Sequence, residues 1–199
     1  YFIKNSKDYD YKKLESSKNK IFEAIGKEYH DMIKKISNNS ERTTDKLPIN
    51  FLSIGLIKLI LPQSKIIHCF RNPKDNIMSI FKNYFPDGKI NYSYNLDDII
   101  EYYNLYVDIM NFWNKSFPNY IYNIEYENLV SDTLKETKKL LKFCDLNWQE
   151  KCLKFYDNQR PIKTASDVQA RNKIYNTSIN SWKKYENEVH ENFKKLKKN

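Results

Sequence analysis

The sequence predicts an α/β fold, with a mainly parallel sheet flanked by helices. Two short segments rich in β-branched and aromatic residues, Lys65–Phe70 and Tyr120–Tyr126, have the length and composition of strands. The chain between them carries long helical patterns. Because strands separated by helices need crossover connections, we expect a parallel sheet. A length of 199 residues without an internal repeat predicts one domain over residues 1–199.

The first elements are read from hydrophobic spacing. Apolar residues between Tyr11 and Ile36 recur at intervals of mostly three, four and seven, which predicts a helix that Gly26 weakens slightly. The segment Thr43–Pro48 is expected to be extended and to end at its proline. The apolar run Phe51–Leu61 predicts a buried helix, although a strand is compatible with so short a run.

The middle of the chain is predicted as a strand followed by a helix. The strand Lys65–Phe70 is expected to be buried on both faces. Pro73 and Asp75 then open a helix that extends to Tyr84, because proline fits a first helical turn and an acid there suits the helix dipole. The loop Phe85–Tyr94 is equally compatible with a substrate-facing lid and with a plain surface loop.

The next elements alternate between helix and strand. Asn95 caps a helix that continues to Phe117, and its stripe of aromatic residues predicts core. After the strand Tyr120–Tyr126, Ser131 is predicted to cap a helix over Asp132–Cys144.

The last third of the chain is predicted to contain little sheet. Glu150–Tyr156 is expected to form a short helix, and Asn158–Thr177 a long loop of the kind that is often functional. From Asn180 the chain is predicted to be helical, and the basic residues 187–199 are expected to form a frayed tail.

Composition narrows the class of partner. The formal net charge of +9 favours an anionic partner. The lysines are spread through the chain rather than concentrated in one stripe, which argues against a nucleic-acid partner. Three cysteines without Cys-x-x-Cys spacing indicate reduced thiols and a cytoplasmic protein. Three scattered histidines predict no metal site, and no apolar run is long enough to span a membrane.

The junction after the strand Lys65–Phe70 has the chemistry of an anion site. Arg71 stands where the strand ends, and Ser79 follows eight residues later on the predicted helix. A cation at a strand–helix junction is a plausible phosphate ligand, because the guanidinium offers a planar fork of donors and keeps its charge. On spacing alone, an ordinary surface ion pair for Arg71 is equally compatible.

Several motifs add a resemblance to a known family. Residues 71–79, with the pattern Arg-x-Pro-x-Asp-x-x-x-Ser, resemble the 3′-phosphate segment of sulfotransferases that use 3′-phosphoadenosine 5′-phosphosulfate (PAPS). Residues 44–51 resemble the Thr-Asp-Lys-x-Pro-x-Asn segment of bacterial members, including those with tetratricopeptide arms. Similar matches occur at residues 126–130, 140–148 and 164–182. Together they cover roughly residues 43–186 in the family's order.

The resemblance implies a three-layer P-loop-like fold and roles for particular residues. It implies that Arg71 and Ser79 hold the 3′-phosphate and that Tyr126 lies beside the adenine, although a core tyrosine is nearly as compatible. It also implies that the loop closing over the nucleotide contributes Arg171, with Lys173 and Tyr175 as weaker candidates.

Two further residues match catalytic positions of the tyrosylprotein branch. Lys46 would place its ammonium near the bridging oxygen or the sulfuryl group, whereas its spacing alone favours a surface lysine. Ser166 would assist at the same point, and a local turn hydroxyl is about equally compatible.

The implied activity is transfer of a sulfuryl group from PAPS to a hydroxyl or amine of a small molecule, carbohydrate or peptide, without a metal. The family's Gly-rich 5′-phosphosulfate loop has no counterpart among the isolated Gly26, Gly55 and Gly88. We therefore expect a chain truncated at its N-terminus and not catalytically complete. Its first strand, phosphate loop and general-base glutamate would then lie before Tyr1, with a helical-repeat domain as a possible neighbour.

The sequence is compatible with two other functions. A fragment of a P-loop nucleotide kinase would share the α/β architecture but would need a Gly-x-x-x-x-Gly-Lys-Ser/Thr loop and Mg²⁺. A basic nucleic-acid-binding module would explain the charge of +9. Its tyrosines, however, are spaced like helix core rather than like a stacking platform.

Overall fold

The computed structural model describes residues 11–85, 90–158 and 171–197, with side chains from residue 20 onward in the first range. The chain divides into two compact units, Tyr1–Ser64 and Lys65–Asn199. The expectation of one domain over residues 1–199 stays a prediction.

The first unit contains two helices. Helix α1 spans Tyr11–Ile36, as predicted, and a 3₁₀ turn at Pro48–Ser53 leads into the seven-residue helix α2, Ile54–Ile60. Gly26 lies where α1 meets α2, because a Cβ at this position would overlap the carbonyl oxygen of Ile60. The absence of a side chain therefore allows the two backbones to touch.

The prediction of a fully buried helix at Phe51–Leu61 was wrong. The first residues form the 3₁₀ turn, and Ile54 is the buried residue of α2, whereas Leu56 and Leu59 are 46% and 57% exposed. The helix makes only two turns and packs against α1, so it buries one face. The apolar run alone did not reveal this one-sided burial.

The second unit contains a parallel pair of strands, as the crossover argument predicts. Strand β1 is Ile66–Phe70 and strand β2 is Ile121–Glu125. Ile66 is paired with Ile121 at one end, and Phe70 with Glu125 at the other. Helices predominate in the described residues, and this two-stranded sheet is the sheet that they contain.

The expectation that β1 is buried on both faces was wrong. Ile66, His68 and Phe70 are half-buried, whereas Ile67 and Cys69 on the opposite face are exposed. Side chains alternate between the two faces of a strand, and one face of β1 is covered by the helical layer that contributes Tyr106. Burial is deeper in β2, where Ile121 and Ile124 belong to the core.

Two long helices form the crossover between the strands. Helix α3 is Pro73–Lys82 and helix α4 is Leu96–Ser116. Asparagine caps both: the side chain of Asn72 accepts hydrogen bonds from the first turn of α3, and that of Asn95 from the first turn of α4. The two helices share the main core of the unit, whose most buried side chains include Ile77, Ile99, Ile100 and Met78.

The remaining helices follow β2. Helix α5 is Tyr126–Ser131, α6 is Thr133–Phe143 and α7 is Glu186–Phe193. Three 3₁₀ turns complete the described part, at Glu150–Leu153, Phe155–Asp157 and Ser181–Tyr185.

One predicted cap is displaced by a residue. Ser131 closes α5 by donating to the carbonyl of Asn128, and the side chain of Asp132 caps α6 by accepting from the backbone of Lys135. Serine and aspartate are both good cap residues, so the sequence alone favoured neither strongly.

The expectation of a frayed tail does not hold over residues 187–197. Val189 and Phe193 are buried in the core cluster with Trp182, and Leu196 packs against it. Lys195 pairs with Asp97 at 2.6 Å, and Lys197 pairs with Asp108. The lysines face outward while apolar residues at helical spacing anchor the segment.

Among the helices that the structure describes, none has the length and apolar character of a membrane-spanning segment.

Candidate functional site

An open cleft of about 600 Å³ lies in the second unit, at the carboxyl ends of its two strands. Arg71 follows the last residue of β1, and Tyr126 follows the last residue of β2. Phe70 and Glu125 are partners in the parallel register, so Arg71 and Tyr126 leave the sheet at the same end. Both Arg71 and Tyr126 line the cleft. Ligand sites in open α/β sheets typically occur at this end.

The electrostatic character of the cleft suits an anion. Three cations line it, Arg71, Lys82 and Lys173, and no carboxylate is among the lining residues in the described part of the chain. Hydroxyl groups line it as well, including those of Ser79 and Tyr175. A volume of this size is within the range of small-molecule sites. Cations, hydroxyl donors and aromatic rings together match the chemistry of a phosphorylated nucleotide.

The guanidinium of Arg71 is held in place by the helix that follows it. Its Nη2 donates to the backbone carbonyl oxygen of Asp75 in the first turn of α3. Ser79 lies one turn further along the same helix and lines the same cleft. The predicted pairing of these two residues at one site is therefore compatible with the structure.

The carboxylate of Asp75 fixes the wall of the cleft that contains Ser181. Asp75 is 1% exposed. Its Oδ2 accepts from the backbone N–H of Asn180 at 2.7 Å, and its Oδ1 accepts from the Ser181 hydroxyl at 3.0 Å and from the Trp182 N–H at 2.9 Å. The sequence predicted Asp75 only as a helix-dipole acid and missed this role.

Tyr126 provides a second link to the same wall. Its hydroxyl lies 3.2 Å from the carbonyl oxygen of Tyr175 and 3.0 Å from Oγ of Ser178. Donation to the carbonyl leaves the phenolic oxygen to accept from the Ser178 hydroxyl. Residues at the end of β2 and in the first turn of α3 thus both bind the segment 175–182, although they are distant from it in sequence.

Five of the predicted binding residues lie around this cleft: Arg71, Ser79, Tyr126, Lys173 and Tyr175. Arg171 is not among the lining residues, and its Nη1 donates to the carbonyl of Asn158. Ser166 lies outside the described residues.

Lys46 belongs to the other compact unit and has an exposed side chain. The preceding residue, Asp45, accepts a 2.5 Å hydrogen bond from the hydroxyl of Tyr29 on α1. This bond, with smaller contributions from burial and from the Asp45 charge, raises the pKa of Tyr29 to about 12. The segment that carries Lys46 is thereby held against a helix of its own unit.

Among the lining residues that sequence reasoning missed are Lys82 and Ser181. Lys82 stands three residues after Ser79 on α3, so the helical repeat places them on one face, and its Nζ lies 5.1 Å from the centre of the Tyr185 ring. That spacing was a usable signal. Ser181 had no comparable signal, because it reaches the cleft through the long-range contacts of Asp75.

Both ring nitrogens of His68 make hydrogen bonds within the second unit. Its Nδ1 lies 2.7 Å from the side-chain oxygen of Asn123, and its Nε2 is hydrogen-bonded to the hydroxyl of Tyr106. Burial lowers the pKa of His68, and the hydrogen bond to Asn123 partly offsets this effect. Over the ranges 11–85, 90–158 and 171–197, no group of three or more His, Cys, Asp or Glu residues is arranged to hold a metal ion.

Comparisons with known proteins find two matches that cover most of the chain. Residues 4–150 match the model of the sulfotransferase family. An uncharacterized protein of Aquifex aeolicus (strain VF5) is 34% identical over 186 residues, a match that covers 89% of this chain. The chain spans 24% of the length of that relative.

Proposed function

Because the chain belongs to the sulfotransferase family, we propose that it carries the 3′-phosphate part of the nucleotide site of an enzyme that transfers a sulfuryl group from PAPS to a hydroxyl or amine. The observation that carries the proposal is the position of Arg71, Ser79 and Tyr126 around one cationic cleft at the carboxyl ends of β1 and β2. In this proposal the two strands are part of a three-layer P-loop-like fold.

The residues of the cleft fit the nucleotide half of the donor. Arg71 and Ser79 would bind the 3′-phosphate by charge-assisted hydrogen bonds, because the phosphate acceptor is ionised. Lys82 would add a second cation on the same helical face, and the hydroxyl of Tyr175 a further donor. The rings of Tyr126 and Phe155 line the same cleft and would contact the adenine.

Sulfuryl transfer depends on positioning and electrostatics rather than on a metal. The negative charge that develops on the bridging oxygen of the leaving nucleotide must be stabilised, and a base must accept the proton of the acceptor group. We assign the first task to the ammonium of Lys46, assisted by Ser166. The acceptor belongs to one of three classes, a small molecule, a carbohydrate or a peptide.

The donor assignment is tested by calorimetric titration of the chain with adenosine 3′,5′-bisphosphate, the product that remains after sulfuryl transfer. Adenosine 5′-monophosphate, which lacks the 3′-phosphate, is the matched control ligand. We expect the bisphosphate to bind at least about tenfold more tightly, because charge-assisted bonds contribute ~1.5–3 kcal/mol each. Equal affinities would contradict the assignment. Transfer itself is tested separately, with labelled PAPS and a panel of hydroxyl and amine acceptors.

Calorimetric titrations with other ligands separate the alternative functions. A kinase fragment would bind ATP with Mg²⁺ more tightly than the bisphosphate. A nucleic-acid module would bind a single-stranded oligonucleotide with a steep salt dependence while the bisphosphate failed to bind. The cleft favours the small nucleotide, because its three cations line one site of about 600 Å³.

A further inference from the structure

Ser181 joins the wall of the cleft to the buried carboxylate of Asp75. Ser181 is half-buried and lines the cleft, and its hydroxyl lies 3.0 Å from Oδ1 of Asp75. The same carboxylate accepts hydrogen bonds from the backbone N–H groups of Asn180 and Trp182, on either side of the serine. The position of Ser181 is therefore determined by three hydrogen bonds to one side chain that is 1% exposed.

This arrangement decides which hydrogen-bonding role is left for Ser181. A carboxylate can only accept hydrogen bonds, so the proton in the bond between Ser181 and Asp75 must come from the serine hydroxyl. A hydroxyl has one proton and two lone pairs. With its proton directed to Asp75, the serine oxygen can take part in a ligand contact only as an acceptor.

We infer that Ser181 is a specificity-determining residue of the cleft, one that accepts a hydrogen bond from an N–H or O–H group of the bound nucleotide. A phosphate oxygen is excluded as its partner, because two acceptors that face each other gain no hydrogen bond. The adenosine part of the ligand offers two donors of this kind, the 6-amino group of the base and the 2′-hydroxyl of the ribose. The inference rests on the proposed function. It adds an orientation of the nucleotide, in which the 3′-phosphate lies toward Arg71 and Lys82 and the adenosine donor lies toward Ser181.

The consequence is discrimination between nucleotides that differ by one donor. A site built to hydrogen-bond a ligand group rejects an analogue that lacks it, because a polar atom of the site is then left without its partner. A net contribution of one such bond corresponds to a change of up to about tenfold in affinity. Ser181 should therefore favour adenosine 3′,5′-bisphosphate over the analogue that lacks the matching donor.

A double-mutant cycle between protein and ligand tests this inference. The dissociation constants of the unmodified chain and of Ser181→Ala are measured for three ligands: adenosine 3′,5′-bisphosphate, purine riboside 3′,5′-bisphosphate, which has hydrogen in place of the 6-amino group, and 2′-deoxyadenosine 3′,5′-bisphosphate. We expect Ser181→Ala to weaken binding of the parent ligand about tenfold but to leave the affinity for one analogue unchanged. The group that this analogue lacks is then the donor to Ser181. Ser131→Ala is the matched control, because the Ser131 hydroxyl also makes a 3.0 Å bond but lies on α5 and does not line the cleft.

The outcomes separate the inference from the proposed function. If the unmodified chain binds the parent ligand but Ser181→Ala weakens all three ligands equally, Ser181 only supports the fold and the inference is wrong. If the unmodified chain binds none of the three ligands, the proposed function fails and the inference fails with it. Should Ser181→Ala not fold, Ser181→Thr keeps the hydroxyl and must retain the preference for adenosine. A folded Ser181→Thr variant that has lost the preference would also overturn the inference.

Discussion

The Oδ1 atom of Asp75 accepts a hydrogen bond of 2.9 Å from the backbone N–H of Trp182, which lies 107 positions later in the chain. This contact connects the first turn of α3 to the segment that precedes α7. Around it, Trp182 belongs to the core cluster, and the ammonium of Lys74 lies 4.0 Å from the centre of its ring. One carboxylate thus links the core of the second unit to the wall of its cleft.

The first prediction concerns this link. Asp75→Ala should lower the free energy of unfolding by at least about 2–4 kcal/mol, because it leaves two backbone N–H groups and one hydroxyl without their acceptor at a buried position. The midpoint of a urea unfolding curve, monitored by tryptophan fluorescence, measures the effect.

Asp98→Ala is the matched control for this prediction. Asp98 is the third residue of α4, as Asp75 is the third residue of α3, and its N–H is also capped by an asparagine side chain. Its own side chain is exposed, so we expect a change within about 0.5 kcal/mol. Similar losses for the two variants would mean that Asp75 acts only through the helix dipole.

The second prediction concerns pH. Burial lowers the pKa of His68 from the ordinary value of 6.5, so the unfolded chain binds a proton at a pH at which the folded chain does not. The free energy of unfolding should therefore decrease as the pH falls from about 6.5 toward the lower folded value. Urea unfolding at a series of pH values should give a smaller decrease for His68→Gln than for the unmodified chain. His190→Gln, at an exposed position, should show the same decrease in the free energy of unfolding as the unmodified chain. If both variants reduced this decrease equally, the pH dependence would not come from His68.

The third prediction concerns the close approach of α1 and α2 in the first unit. Gly26→Ala should destabilise these helices, although alanine is the better helix former by about 1 kcal/mol, because the added methyl group overlaps the carbonyl oxygen of Ile60. Amide hydrogen exchange should accelerate in both helices. Glu28→Ala, at an exposed position of α1, is the control and should leave exchange unchanged or slower. Slower exchange in Gly26→Ala would show that the helices separate at no cost.

The local elements were predictable because each has a local signal. The apolar period identified α1, and the strand–proline–acid pattern identified the junction of β1 and α3. The parallel pairing followed from the helices between the strands. The position of Arg71 and Ser79 around one cleft was predictable for the same reason, since both belong to one short motif on one strand–helix unit.

The cleft wall and several burial patterns were not predictable in this way. Asp75 finds its partners 105 to 107 positions later, and no spacing in a single sequence reports such contacts. The tail differs, because Val189 and Phe193 are four residues apart and form an apolar face that the many lysines obscured. Charge was given too much weight there, and periodicity too little.

The last prediction concerns Arg71, the residue on which the proposed donor site depends most. Arg71→Ala should weaken binding of adenosine 3′,5′-bisphosphate by one or more powers of ten, because charge-assisted hydrogen bonds contribute ~1.5–3 kcal/mol each. Arg71→Lys should lose less, since it keeps the charge but not the planar fork. Lys138→Met is the control for a lost charge, because Lys138 contacts the Trp148 ring and does not line the cleft. Adenosine 5′-monophosphate, without the 3′-phosphate, should bind the unmodified chain and Arg71→Ala with nearly equal affinity. If calorimetry gave an unchanged affinity for the bisphosphate in Arg71→Ala, the 3′-phosphate would have to bind elsewhere.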